Sequence, residues 1–88
     1  MDEIEQLRKQ IDKYNLEILE ILTRRADVAK SIGAWKAKEG INVHDPEREA
    51  LILKKLKAHN KGPLDDGMVE RVFKEIFAIN VELQKGRK

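Results

Sequence analysis

Apolar residues recur at spacings of three and four along the first 39 residues, which is the period of one face of an α-helix. This apolar seam consists of Ile4, Leu7, Ile11, Tyr14, Ile18, Ile21, Val28, Ile32 and Trp35. The pattern predicts one helix from Met1 to Glu39, ending near Gly40. About 37 residues at about 1.5 Å each make a rod of roughly 55 Å, whereas a compact chain of this length has a radius of gyration of about 12 Å. Because the rest of the chain is too short to cover such a rod, we expect a homodimer.

A second, shorter helix is signalled by Asp45-Pro46-Glu47. Asp is a good N-cap, Pro suits the first helical position, and an acid suits the first turn. This helix is expected from about Pro46 to about His59. The run Asn60-Lys61-Gly62-Pro63 then predicts a turn.

A third helix is expected from Asp65 or Asp66 to about Lys85. No stretch shows the alternation of a β-strand, so the predicted fold class is all-α with one long, one short and one medium helix. Residues 1–88 are expected to form a single domain, with 85–88 as a tail or the start of a linker.

Composition mainly excludes functions. The chain has no cysteine, so it has no disulfide and no thiolate metal site, and no other metal-ligand cluster stands out. With 18 basic and 16 acidic residues, the net charge of +2 gives no electrostatic case for binding nucleic acid. No apolar run approaches the about 20 residues that span a bilayer. The N-terminus is acidic, unlike a signal peptide. We therefore expect a soluble cytoplasmic protein that binds neither nucleic acid nor membrane.

Six polar residues fall on the predicted inward faces of the helices, where apolar residues are expected. They are Arg25 and Lys36 on the first helix, Arg48 and Glu49 on the second, and Asn80 and Gln84 on the third. Arg25 and Lys36 are three helical turns apart, with only about 20° of drift, so they point the same way about 16 Å apart. If the helices pack together, the six groups would line one pocket between them.

Each of these residues also has an interpretation without a ligand. Arg25 could extend to the surface, Lys36 could be a solvated cation near a helix end, Arg48 and Glu49 could be first-turn surface charges, and the two amides could fix the packing register. The set is stronger evidence than its members, because all six fall on inward faces. Such a pocket offers cations, one carboxylate and two amides, but no cysteine and no convincing Ser-His pair, so it is poorly provided for nucleophilic or acid-base catalysis. It suits binding a small polycarboxylate anion and stabilising charge on an oxygen during a unimolecular rearrangement.

Arg8 is a further candidate that cannot reach this pocket within its own chain. It flanks Leu7 of the seam but precedes Arg25 by 17 residues, which is about 25 Å along the helix. In an antiparallel pair of long helices, Arg8 would enter the pocket of the second copy.

The order and spacing of these residues resemble the all-helical class of chorismate mutase. The shared pattern is Leu7-Arg8 with Ile11-Asp12, then Arg24-Arg25, Gly33 with Lys36-Ala37-Lys38, Asp45 with Arg48-Glu49, and Gln84. The resemblance covers nearly the whole chain. Segments 45–49, 60–63 and 73–77 are most similar to the chorismate mutase domain that is fused ahead of a DAHP synthase domain.

The resemblance implies an intertwined homodimer with two equivalent pockets. It also implies a Claisen rearrangement of chorismate to prephenate, in the biosynthesis of phenylalanine and tyrosine, without cofactor or metal. Carried over by position, Arg25 and Arg8 of the second copy would bind the two carboxylates. Lys36 and Gln84 would hydrogen-bond the ether oxygen as its bond breaks.

The remaining positions carry over to the ring end of the substrate. Glu49 would hold the ring hydroxyl, supported by the backbone near Asp45 and the side chain of Arg48. Asn80 stands where some family members carry a serine that touches a carboxylate.

Two other functions agree with the sequence. The chain could be an antiparallel helical dimerisation module without a ligand, in which apolar replacements of Lys36 or Gln84 would be neutral or stabilising. It could instead be a regulatory domain that senses chorismate or prephenate for a fused or associated DAHP synthase. Feeble turnover with tight ligand binding would favour that function.

Overall fold

The computed structural model describes residues 2–85 and contains three helices: α1 (Asp2–Glu39), α2 (Pro46–His59) and α3 (Asp66–Gln84). No strand occurs in this part of the chain. The all-α prediction is confirmed, and the helix bounds agree with those predicted to within about one residue. The predicted helix start at Met1 and residues 86–88 of the predicted tail 85–88 lie outside the described residues. None of the three helices is long and apolar enough to cross a membrane.

The end of α1 is fixed by a glycine turn. Gly40 has a φ of +69°, a conformation that side chains with a Cβ rarely adopt. Its N–H donates to the carbonyl of Ala37 at 3.3 Å, and the N–H of Ile41 donates to the carbonyl of Lys36 at 2.8 Å. These two bonds form a Schellman motif, which ends the helix and reverses the chain. Val43 is thereby brought within reach of Lys36.

Aspartate side chains cap the other two helices. The Asp45 carboxylate accepts a hydrogen bond from the backbone N–H of Arg48 at 3.1 Å, which confirms it as the N-cap of α2. The Asp65 carboxylate accepts from the N–H of Met68 at 2.8 Å. Asp65 is therefore the N-cap of α3, which begins at Asp66.

Helix α3 packs against both other helices, and α1 and α2 leave a gap between them. The small core contains Ala29 of α1 with Val69 and Phe77 of α3. Gly33 of α1 is also buried. The gap forms the cavity described below.

An ion-pair cluster joins α2 to α3. The Lys57 ammonium lies 2.6 Å from one carboxylate oxygen of Glu70, and Lys74 lies 3.1 Å from the other. The hydrogen bonds from Lys57 and Lys74 hold the pKa of Glu70 below its ordinary value of 4.5. The bond to Glu70 in turn raises the pKa of Lys57 above 10.5.

The chain is elongated, and most of α1 is uncovered. Its longest dimension is 56 Å and its radius of gyration is 16.2 Å, against about 12 Å for a compact chain of this length. The nine residues of the apolar seam are 44% to 60% exposed. A single chain therefore leaves the predicted core face of its longest helix in contact with solvent.

Candidate active site

The gap between the helices is an open-sided cavity of about 530 Å³, within the size range of small-ligand sites. Its polar lining comprises Arg25, Lys36, Asp45, Arg48, Glu49, Asn80 and Gln84. Its apolar lining comprises Val28, Ala29, Ile32, Val43, Ile52, Phe77 and Val81. Seven of the eight candidate residues named from the sequence thus meet at one cavity.

The eighth candidate, Arg8, lies elsewhere. It is exposed in the N-terminal part of α1, where its guanidinium is 3.2 Å from the carboxylate of Glu5. Of the neighbouring arginines, Arg24 is exposed and pairs with Glu20 at 3.3 Å, whereas Arg25 is half-buried and lines the cavity. The prediction that Arg25, and not Arg24, lies on the inward face of α1 is therefore confirmed.

Lys36 is half-buried at the end of α1 and is held by the following loop. Its ammonium donates a long hydrogen bond of 3.4 Å to the carbonyl of Val43. An ammonium has three donors, so two remain for a ligand. Within residues 2–85 no carboxylate pairs with Lys36. The site therefore presents a cation that the protein itself does not neutralise by direct contact.

The first turn of α2 presents a cation and a carboxylate to the same cavity. The Asp45 side chain caps the backbone N–H of Arg48 and thereby stabilises the helix start. Arg48 and Glu49 then enter the cavity from consecutive positions. Glu49 is half-buried, and one of its oxygens lies 3.8 Å from the imidazole of His44.

Asn80 and Gln84 line the cavity from α3. They are one helical turn apart, so their amides project from the same face, and both are half-buried. Both side chains offer neutral donors and acceptors. Gln84 packs directly on Gly33 of α1, three residues before Lys36.

The lining suits a small anion with an apolar body. It has three cations and two carboxylates, and one of those carboxylates is engaged in capping α2. None of the lining residues is a serine, cysteine or histidine, so the described cavity is poorly provided for nucleophilic or general acid-base catalysis. Lys36 and Gln84 can stabilise negative charge that develops on a ligand oxygen.

The apolar half of the lining was not predicted as part of the site. Residues such as Ile32, Ile52 and Phe77 were expected only as core, because a sequence pattern does not distinguish a filled interior from a gap between helices. Val43 contacts Lys36 through its carbonyl oxygen, which every residue possesses. Its side chain therefore gave no signal.

Comparison with known proteins places this site in a family. A family model described as "Chorismate mutase type II" matches residues 7–85. The chain is 33% identical over 89 residues to a chorismate mutase of Methanocaldococcus jannaschii, covering 97% of this chain and 87% of that protein. Its fold matches the structure of chorismate mutase (form II) from Thermus thermophilus with a TM-score of 0.91 and 38% identity, covering 93% of each chain.

A longer relative is the bifunctional chorismate mutase/prephenate dehydratase of Aquifex aeolicus, 37% identical over 89 residues and 97% of this chain. The chain spans about a quarter of the length of that relative and of a similar bifunctional protein from Stutzerimonas stutzeri. The family match, the common fold and the convergence of the polar residues agree with one another. The chain therefore belongs to the type II chorismate mutase family.

Proposed function

We propose that this chain catalyses the intramolecular rearrangement of chorismate to prephenate. The observation that carries the proposal is the convergence of seven charged or amide side chains on one cavity whose described lining has no serine, cysteine or histidine. A pericyclic rearrangement needs neither a nucleophile nor a proton transfer. It requires a compact substrate conformation and stabilisation of the charge that develops on the ether oxygen.

The two substrate carboxylates are assigned to arginines. Arg25 is half-buried in the cavity, and its planar guanidinium can bind a carboxylate with two hydrogen bonds. The second carboxylate is assigned to Arg8 of a second copy, with the Asn80 amide as a further donor. Among residues 2–85, Arg8 pairs only with the exposed Glu5, and such a surface pair is weak and easily exchanged.

Stabilisation of the ether oxygen, as its bond to carbon breaks, is assigned to Lys36 and Gln84. In the transition state the ether oxygen gains negative charge as its bond to carbon lengthens and the new carbon–carbon bond forms. The unneutralised Lys36 ammonium and the neutral Gln84 amide would both donate to that oxygen. Glu49 would accept from the ring hydroxyl, and Arg48 and the backbone near Asp45 would support that end of the substrate.

A homodimer with intertwined long helices completes the proposed site. The apolar seam of α1 is about half exposed, and the N-terminal half of α1 extends well beyond α3, the helix that packs on its other end. A second, antiparallel copy would bury this seam and deliver Arg8 to the cavity.

Two broader features also remain proposals. The sequence predicted a fused or associated DAHP synthase, but the bifunctional relatives named above instead carry a prephenate dehydratase. The relatives therefore give the DAHP synthase no support. The cytoplasmic location is likewise a prediction.

The direct test adds chorismate to the purified chain and follows the loss of its absorbance while prephenate is identified in the product. Two neighbouring variants make a matched pair. Arg25→Ala removes a lining cation and should abolish most turnover, whereas Arg24→Ala removes an exposed neighbour and should have little effect. A folded parent that binds chorismate tightly but turns it over no faster than the uncatalysed reaction would overturn the catalytic proposal and favour ligand sensing.

A further inference from the structure

Gly33 is a buried residue of α1 that packs against the C-terminal end of α3, where Gln84 occupies the space that a side chain on Gly33 would need. A Cβ placed on Gly33 would lie 2.7 Å from the Cα of Gln84 and 2.8 Å from both its Cβ and Cγ. Real Cβ atoms essentially never approach other atoms closer than 3.0 Å. The backbone and the stem of Gln84 thus lie directly on the bare backbone of α1.

This contact restrains Gln84 without the help of a side-chain hydrogen bond. Among residues 2–85, no hydrogen bond is formed by the Gln84 carboxamide. Gln84 is also the last residue of α3, and helix ends fray. Packing on Gly33, rather than a hydrogen bond of the carboxamide, therefore restrains the Gln84 side chain.

The same contact sets Gln84 beside Lys36. Gly33 and Lys36 are three residues apart on α1, so they lie on one face of that helix. Both Lys36 and Gln84 line the cavity. Because Gln84 packs on Gly33, it lies on the same face of α1 as the Lys36 side chain.

We propose that Gly33 is a positioning residue for Gln84. Its missing side chain lets the end of α3 approach α1 closely enough for the Gln84 amide and the Lys36 ammonium to donate to one ligand atom. The inference rests on the proposed function, because that function gives the shared atom its role. Any larger residue at position 33 would displace Gln84, and with it the amide, without changing the chemistry of the amide.

The first test is Gly33→Ala. We expect kcat to fall about tenfold or more with a much smaller change in KM, because the lost hydrogen bond acts chiefly in the transition state. The matched control is Gly67→Ala in the first turn of α3, where a Cβ would meet only a side-chain oxygen of Asp65, at 3.3 Å. That control should retain the parental kcat. A Gly33→Ala protein that is folded, dimeric and fully active would overturn the inference.

A double-mutant cycle separates positioning of Gln84 from a general loss of structure. In a Gln84→Ala background the amide is already absent, so adding Gly33→Ala should lower kcat no further. If Gly33→Ala instead causes the same fold-loss in both backgrounds, it acts on some other part of the site, and the inference is wrong.

The contact can also be tested in the parent protein, so that the result does not depend on whether the Gly33→Ala variant folds. Nuclear Overhauser effects between the α protons of Gly33 and the β and γ protons of Gln84 are expected in the native protein. Their absence would overturn the inference whether or not chorismate is converted. A parent that converts no chorismate would overturn the proposed function, whereas an active parent with an equally active Gly33→Ala variant would overturn the role of Gly33 alone.

Discussion

Lys36 and Gln84 reach one cavity from different helices, and only one of them carries a charge. We expect Lys36→Ala to lower kcat about 10²-fold or more while KM changes much less, because the ammonium acts mainly on charge that appears in the transition state. Steady-state kinetics measure this directly. Lys38→Ala is the matched control, since Lys38 is exposed two residues further along α1. A raised KM with parental kcat would mean that Lys36 only binds substrate.

Gln84 is expected to act as a neutral donor, which makes Gln84→Glu informative. An ionised carboxylate at this position would repel the ether oxygen, whereas a protonated one would again donate a hydrogen bond. Activity of the variant should therefore rise as the pH falls, and activity of the parent should not. The measurement is a pair of pH–rate profiles over a range in which circular dichroism shows both proteins folded. Parallel profiles would leave Gln84 as a packing residue outside the reaction.

Helical register explains why so many candidate residues could be identified from sequence. An α-helix fixes the direction of each side chain, so Arg25 could be separated from Arg24, and Asn80 could be grouped with Gln84. The Lys36–Val43 contact could not be predicted, because it depends on a backbone carbonyl in a loop. The close packing of Gln84 on Gly33 depends on the distance between α1 and α3, which no local sequence pattern encodes.

The start of α2 is an element whose cap also organises the site. Asp45→Ala should cost about 0.5–2 kcal/mol of stability, because the N–H of Arg48 loses its acceptor. It should also lower kcat/KM, since Arg48 and Glu49 lie in that first turn. Asp65→Ala removes the equivalent cap from α3, at the opposite end of that helix from Gln84. Urea unfolding and kinetics on both variants test this: similar losses of activity would contradict a special role for the α2 cap.

The contact between α2 and α3 should make stability depend on acid. Lys57 and Lys74 lower the pKa of Glu70, so this carboxylate stabilises the fold above its unfolded pKa. That stabilisation is lost as the pH falls through the folded-state pKa, below 4.5. Lys57 has a raised pKa and retains its contribution until the pH exceeds 10.5. The pair therefore stabilises the fold at neutral pH.

Glu70→Gln should accordingly unfold more readily than the parent at pH 7, and the difference should shrink as the pH falls below about 4. Urea titrations at one protein concentration measure both values. Glu75→Gln is the control, because Glu75 is exposed on the same helix and makes no ion pair within residues 2–85. A difference that persists unchanged at low pH would show that the ion pair is not its cause.

At the level of elements, the ends of the helices could be predicted because the residues that set them lie within one turn of each end. Gly40 and the Asp45-Pro46 pair set helix ends through backbone chemistry within one turn. The arrangement of the helices was not predictable in the same way. The gap between α1 and α2 arises because both pack on α3, and it turns residues expected as core into cavity lining.

At the scale of the whole molecule, the exposed seam of α1 is the main feature that a single chain does not account for. Nine apolar side chains that remain about half in water are unusual for a stable monomer. The same helix carries Arg8 far from the cavity to which it is assigned. One antiparallel partner would resolve both features, which is why we expect sedimentation at micromolar concentration to give a dimer. A stable folded monomer would contradict the dimer and the role of Arg8 together.

Mixing two inactive variants tests whether each site is shared between copies. We expect Arg8→Ala and Lys36→Ala to be nearly inactive alone, because each damages both pockets of a symmetric dimer. In a mixed dimer one pocket combines Arg8 of the Lys36→Ala chain with Lys36 of the Arg8→Ala chain and is intact, while the other pocket carries both defects. After co-refolding of equal amounts, half of the dimers are mixed, so activity should recover to about one quarter of the parental value. Mixing Lys36→Ala with Gln84→Ala is the control, because those residues belong to the same chain's pocket and every mixed site keeps one defect. No recovery with Arg8→Ala, in a sample shown to contain mixed dimers, would place Arg8 outside the partner's site.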